Sequence, residues 1–171
     1  SCGDLKMTFI RPGALLKPKF LVTSHTAKQS TSNTANVVTV IDGSEITYNP
    51  HPGSEKVVYE ISFCATNNNV TTGGECAQYL KLEEYDGSSW SEISATNRKN
   101  FGSSASSIAQ YHRWLIHFKF ILPTWIGSKQ LRLIIAAAEA DEKIELHEIQ
   151  AWEGSWTYEN YFNTNLLVYS I

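Results

Sequence analysis

The sequence predicts an all-β chain, an antiparallel two-sheet β-sandwich of jelly-roll type, and three observations carry that expectation. Apolar side chains alternate with period two along three long runs, turn-forming residues separate many short segments, and sustained helical periodicity is missing. At 171 residues the chain fits one domain, taken as 1–171. Residues 1–18 are a candidate N-terminal arm and residues 160–171 a candidate terminal interface strand. A chain of this size buries about 70% of the surface its unfolded form exposes, so it needs no metal or disulfide staple to fold.

The elements follow in order. Residues 20–24, 36–42 and 45–48 read as early strands, the last two separated by the turn residues Gly43-Ser44. Residues 56–65 place Val57, Tyr59, Ile61 and Phe63 on one face, as alternation requires. Residues 77–85 and 89–94 flank Asp86-Gly87, a strong short-range hairpin signal. Residues 114–122 align Trp114, Ile116, Phe118, Phe120 and Leu122. Residues 130–138 align Leu131, Leu133 and Ile135, with Ile134 and alanines opposite, the pattern of an inner strand packed on both faces. Residues 144–152 run to the turn Glu153-Gly154, and residues 166–171 form a last strand. That makes eight or nine strands. Residues 24–36 and 102–107 are polar and aperiodic and read as long loops, residues 103–110 allow one short helix at best, and Asp141-Glu142-Lys143 reads as a turn.

Composition narrows the function. Charged residues make up 18% of the chain, below the roughly 25% of an average globular protein, which points to a surface partly covered by a partner. The net charge of −3 and scattered basic residues argue against nucleic acid as a partner, because phosphate binding needs a clustered basic footprint. No apolar run is long enough for a membrane span, and no basic amphipathic helix is found, so no membrane partner is expected.

Reactive side chains form no recognised signature. Five histidines and many serines occur without a Gly-x-Ser-x-Gly elbow, so no catalytic residue is assigned and the chain is read as a non-enzyme. Glu83 and Glu84 are adjacent and point to opposite faces of a strand, which spoils them as a glycosidase pair. Glu145 and His147 share a strand face with Asp141 and Glu142 just before, but the spacing matches no known ligand set. The expectation is therefore no metal and no cofactor, with His147 a half-buried hydrogen-bonding residue and Glu145 solvated. Cys64 ends one strand pattern and Cys76 opens the next. A bridge between them would contribute roughly 3 kcal/mol in an oxidising setting. Two small buried hydrophobes kept reduced is the favoured alternative, with Cys2 a terminal thiol. Asn69-Val70-Thr71 is an acceptor sequon that matters only in a eukaryotic secretory route.

Aromatic side chains are the more informative group. Trp90, Trp125, Trp152 and Trp156 lie at or near turns, where a ring either closes the end of a sandwich or stays open to a ligand. Trp90 and Trp152 are the candidates for stacking on a glycan. Residues 160–171 carry no charge yet include Tyr161, Phe162, Leu166, Leu167, Val168, Tyr169 and Ile171. Such a segment is buried either as a strand of its own sheet or against a neighbouring subunit.

Two blocks carry a family resemblance. The first is Ile46-Thr47-Tyr48-Asn49-Pro50, continuing through Gly53 to Lys56-Val57-Val58-Tyr59-Glu60-Ile61-Ser62-Phe63. The second runs from His117-Phe118-Lys119-Phe120 through Trp125-Ile126-Gly127, Leu131-Arg132-Leu133 and Leu146-His147-Glu148 to Trp152-Glu153-Gly154. Together they resemble the β-sandwich domains of structural proteins from marine tailed phages and related environmental viruses, over residues 46–154. This chain departs from that pattern in its Cys64–Cys76 region and in the Ser-rich loop near Gly102. The resemblance implies a non-enzymatic component of the virion surface, a capsid decoration (cement) subunit or a fibre module. Its partners would be further copies of itself, as a homotrimer, and other virion proteins such as the major capsid protein. Trp125, Trp156, Tyr161 and Phe162 are the expected interface anchors, with Leu167 and Tyr169 from the apolar terminus. The alternative is a carbohydrate-binding jelly-roll module that reads a host-surface glycan through Trp90 or Trp152.

Overall fold

The computed structural model of the chain describes residues 16–32, 34–67, 75–93, 99–104, 113–137, 144–150 and 159–171. Among these the regular elements are fourteen β-strands, with no helix. They form two antiparallel sheets packed face to face, a β-sandwich.

The first sheet is organised around β5 (Lys56–Asn67). β9 (Arg113–Pro123) pairs along one edge of it, from Lys56↔Pro123 to Thr66↔Arg113. β14 (Thr164–Ser170) and β11 (Ile144–Leu146) share the other edge. β1 (Leu16–Thr23) extends the sheet beyond β14, and β2 (Gln29–Ser30) extends it beyond β11. In the second sheet, β10 (Lys129–Ala137) and β6 (Glu75–Tyr85) are central partners. β3 (Thr39–Val40) and β4 (Ile46–Tyr48) lie on the far side of β10. β7 (Trp90–Glu92) and β8 (Lys99–Ser104) lie on the far side of β6. A short ribbon, β12 (Glu148–Gln150) with β13 (Glu159–Tyr161), follows directly on β11.

Alternation decides the core. Val57, Tyr59, Ile61, Phe63 and Ala65 of β5 face Leu131, Leu133 and Ile135 of β10 and Leu80 and Leu82 of β6 across the interior. Ile116, Phe120 and Leu122 join them from β9, with Trp114 and Phe118 packed at the margin. Each fully buried side chain of this size stabilises the fold by roughly 1.5–3 kcal/mol. The inner-strand expectation for β10 holds as well, since Ile134 on the opposite face is also buried.

One directed bond crosses this apolar layer. The Tyr59 hydroxyl donates to the Ser44 carbonyl. Ser44 is itself fixed to β10, its Oγ donating to the Leu133 carbonyl (3.2 Å) and accepting from the Leu133 N–H (3.1 Å). Burial pushes the Tyr59 phenol well above its ordinary range, so it stays a neutral donor.

The hairpin at Asp86-Gly87 also forms. Asp86 Oδ1 accepts from the backbone N–H groups of Ser88 and Ser89, both at 2.8 Å, which lowers its carboxyl to about 2, and Gly87 takes φ +102°. Other expectations need correction. Only Thr39–Val40 of residues 36–42 is a strand, and Val37 and Val38 are exposed, because β3 borders β10 for just two residues. The expected loop 24–36 contains β2, which pairs with β11. The terminal segment takes the first of its two readings, since β14 lies inside its own sheet between β1 and β5. The short helix considered for residues 103–110 and the turn at Asp141-Glu142-Lys143 lie largely or wholly outside the described residues.

Gly43 is the tightest turn position. It has φ +82°, and a Cβ there would sit 2.7 Å from Thr23 Cβ and 2.9 Å from Thr164 Cβ. Gly43→Ala should therefore cost about 2–4 kcal/mol, adding overlap to backbone strain. Gly87→Ala, with nothing within 4 Å, should cost only about 1 kcal/mol. Urea unfolding of the two variants checks this, and equal losses would refute it.

Candidate functional site

A cluster of buried polar side chains sits where β1, β2, β11 and β14 meet the turn before Ser44. His147 begins it. Directly after β11 its backbone takes φ +70°, a left-handed bend that turns the chain into β12. The bend is held from both sides: His147 N–H donates to the Cys64 carbonyl (2.8 Å) and its carbonyl accepts from Phe162 N–H (2.7 Å). The ring is wholly buried and stacks on His25, with centroids 3.7 Å apart and planes 6° apart.

Hydrogen bonds tie both rings to one hydroxyl. Thr164 Oγ1 lies 2.9 Å from His25 Nε2, 3.3 Å from His147 Nδ1 and 3.0 Å from the Asp42 carbonyl, to which it donates. Gln29 orients the far side of the pair. Its Nε2 donates to the Val40 carbonyl, and its Oε1 accepts from Asp42 N–H (3.0 Å). That oxygen therefore faces His147 Nε2 (3.3 Å) as an acceptor, which assigns the proton of neutral His147 to Nε2. Thr164 then has one hydrogen for two acceptors, the Asp42 carbonyl and His147 Nδ1. A second proton on Nδ1 would relieve that competition, adding a charged hydrogen bond worth about 1.5–3 kcal/mol. Burying the resulting cation costs several kcal/mol, so the neutral ring wins. Burial and the neighbouring His25 ring accordingly push His147 down to about 3. Burial also lowers His25, against an opposing pull from the Asp42 carboxylate.

Two carboxylates flank the histidines. Glu145 and Glu148 are both almost completely buried, and Lys28 reaches them from the β1–β2 connection, 3.0 Å from Glu145 Oε1 and 3.9 Å from Glu148 Oε2. Glu145 is thus not solvated as the sequence suggested, and His147 is more than half-buried. Both changes have one cause: β2 and the residues before it cover β11. Among the described residues, no group of three or more His, Cys, Asp or Glu side chains is arranged to hold a metal ion.

A second feature lies on the outer face of the first sheet. By register, Phe20 of β1 stands beside Leu167, which stands beside Glu60 and then Lys119. In the next rows Val22, Asn165, Ser62 and His117 align, and Leu115 and Ile121 stand on β9 beside Cys64 and Val58. Phe20 is 61% exposed, Leu115 69% and Ile121 56%. Glu60 pairs with His117 (3.0 Å) and Lys119 (3.5 Å) across the middle of this face. The outer face of the second sheet is different, carrying Arg132–Glu83 (2.8 Å) and Lys81–Glu92 (3.9 Å) ion pairs.

The residues singled out from sequence fall in several places. Trp125 is half-buried against the core, its Nε1 donating to the Tyr48 carbonyl (3.4 Å) and its ring under Lys129 Nζ. Trp90 packs beside Tyr85, with the Arg132 guanidinium 4.0 Å over its ring. Tyr161, Phe162 and Leu167 are half-buried, whereas Tyr169 is 7% exposed and belongs to its own sheet. Trp152, Trp156, Cys2 and the Asn69 sequon lie outside the described residues. Cys64 and Cys76 are not on neighbouring strands. β6 belongs to the second sheet, and alternation turns the Cys64 side chain away from it, toward the Glu148 carbonyl at 3.5 Å. The Cys76 side chain lies outside the described residues. His25, Gln29, Asp42 and Thr164 were not identifiable beforehand, because Thr164 is 139 positions from His25 and Gln29 is 118 from His147.

Thr164→Val keeps the shape of the side chain and removes the hydroxyl that joins both rings to Asp42. Stability at pH 7.5 should fall by about 2 kcal/mol in urea unfolding, and a loss below roughly 0.5 kcal/mol would show that the network is not sustained in solution.

Comparison with known proteins adds little to this geometry. No protein-family model matches the chain, and no curated protein matches it. Among solved structures, dimeric latent PorU from Porphyromonas gingivalis is similar over 90% of this chain, with 7% sequence identity and a TM-score of 0.45. The chain spans 12% of the length of that PorU chain.

Proposed function

We propose that the chain is a packing domain of a larger assembly, an accessory structural protein of a virus particle that acts as a capsid cement subunit or fibre module. The observation that supports this reading is the outer face of the first sheet. Monomeric proteins seldom gather exposed Phe, Val, Leu and Ile side chains on one sheet face unless that face is used. Around the Glu60 ion pairs this face has the mixture of apolar and polar groups found in subunit interfaces. The motif resemblance supplies the setting, a virion surface with contacts between copies of the chain and to a major capsid protein. No catalytic step enters the reading. Trp125 and Trp90 contribute less than their residue type suggests, because Tyr48 and Lys129 engage one ring and Tyr85 and Arg132 the other.

Light scattering at micromolar concentration tests the self-association. The wild-type protein should have the mass of a trimer. The Phe20→Ser, Leu115→Ser, Ile121→Ser variant should be a monomer that keeps the β-rich circular dichroism of the parent. A wild-type monomer that binds polysaccharides on an array would overturn the reading in favour of a carbohydrate-binding module.

A further inference from the structure

The histidine cluster plays no part in packing through the outer face, and its construction points elsewhere. A solvated loop would need no such arrangement to be held in place. Residues 24–31 instead meet the sheet through His25 on His147, Gln29 on His147 and Asp42, and Lys28 on Glu145 and Glu148. Their backbone attachment is slight. β2 pairs with β11 at Glu145↔Ser30 and Leu146↔Gln29, supplemented by Thr31 N–H to the Ile144 carbonyl and Ile144 N–H to Thr31 Oγ1, both at 2.9 Å. Residues 26–28 face solvent. By contrast β5 and β9 are joined through eleven consecutive register pairs. A segment attached so lightly opens at far lower cost than the core.

We propose that the stacked His25–His147 pair is an acid-released latch, which holds residues 24–31 over β11 and β14 near neutral pH and lets them detach in mild acid while the two sheets stay folded. Two neutral imidazoles stack face to face without repulsion, and His147 has no exposure through which water could solvate a charge. Opening gives that ring to water, where it takes up a proton readily.

Every charged or titratable group around the pair has a sign. Asp42, on the turn packed against Gln29 and Thr164, favours a proton on His25 and so opposes release. Glu145 and Glu148 also favour a proton, and Lys28, in reach of both, offsets one of their two negative charges. Cys64, on β5, presents its backbone carbonyl to His147 N–H and directs its Sγ to the Glu148 carbonyl. Tyr161, paired in register with Glu148, completes the surroundings. Against these stand the exclusion of water from His147, the larger effect, and the neighbouring His25 ring, both of which disfavour a charge there and decide the sign. The closed form binds fewer protons than the open one between the ordinary histidine value of 6.5 and about 3, so the closed form is progressively lost as pH falls through that window. At pH 5 the opening equilibrium should exceed its neutral value by about 30-fold.

Hydrogen exchange read by mass spectrometry, corrected for the intrinsic pH dependence of exchange, tests the latch in the intact protein. Peptides covering residues 24–31 and 144–147 should lose about 30-fold in protection between pH 7.5 and 5.0, while β5 and β9 keep theirs. In His147→Gln the acid effect should shrink below about 5-fold. The imidazole resonances of the wild-type protein provide a second reading that needs no substitution, with His147 staying neutral in the closed form down to pH 5. Equal protection of residues 24–31 at both pH values would overturn the proposal. So would loss of protection in β5 together with the segment, or a His147 ring that titrates near 6.5 while the segment remains closed.

Discussion

The structure depends on a five-residue turn, Val40 to Ser44, that joins the apolar interior to the polar cluster. Its last residue meets Tyr59 from the first sheet and Leu133 from the second, so the Tyr59 hydroxyl has a fixed partner within the core. Its earlier residues receive Gln29 and Thr164. Gly43 allows the turn to approach Thr23 and Thr164 more closely than any side chain would permit. An unbonded phenol in that interior would cost about 1–3 kcal/mol, so the turn sets the relative position of the two sheets as much as it connects two strands.

The two outer faces of the sandwich then take different roles. On the second sheet, acidic and basic side chains from neighbouring strands close ion pairs, and Arg132 from one of them lies over the Trp90 ring. On the first sheet the corresponding positions include Phe20, Val22, Leu167, Leu115 and Ile121, which surround the Glu60 ion pairs. Edge and face exposure of this kind invites association unless a partner covers it.

Between these faces, the cluster at His147 is held by groups from segments far apart in the chain, and each contact is of modest strength. Its properties come from water exclusion. The ring is neutral because a cation would have no solvent, and it is accessible to protons only when residues 24–31 move. Stability of the covering segment and protonation of the buried ring are therefore two descriptions of the same equilibrium.

Alternation was legible in the sequence, and with it the sandwich: Val57 to Phe63, Trp114 to Leu122 and Leu131 to Ile135 each carry their facing in their spacing, because side-chain direction in a strand is a local property of the backbone. The Asp86-Gly87 hairpin was legible for the same reason, since its carboxylate and its glycine act within four residues. The cluster was not. His25, Gln29, Asp42 and Thr164 meet His147 only after strands distant in sequence have paired, and no spacing along the chain encodes that meeting. The burial of Glu145, the left-handed bend at His147 and the separation of Cys64 from β6 were likewise decided by which strand lies beside which, a choice made by packing across the whole molecule.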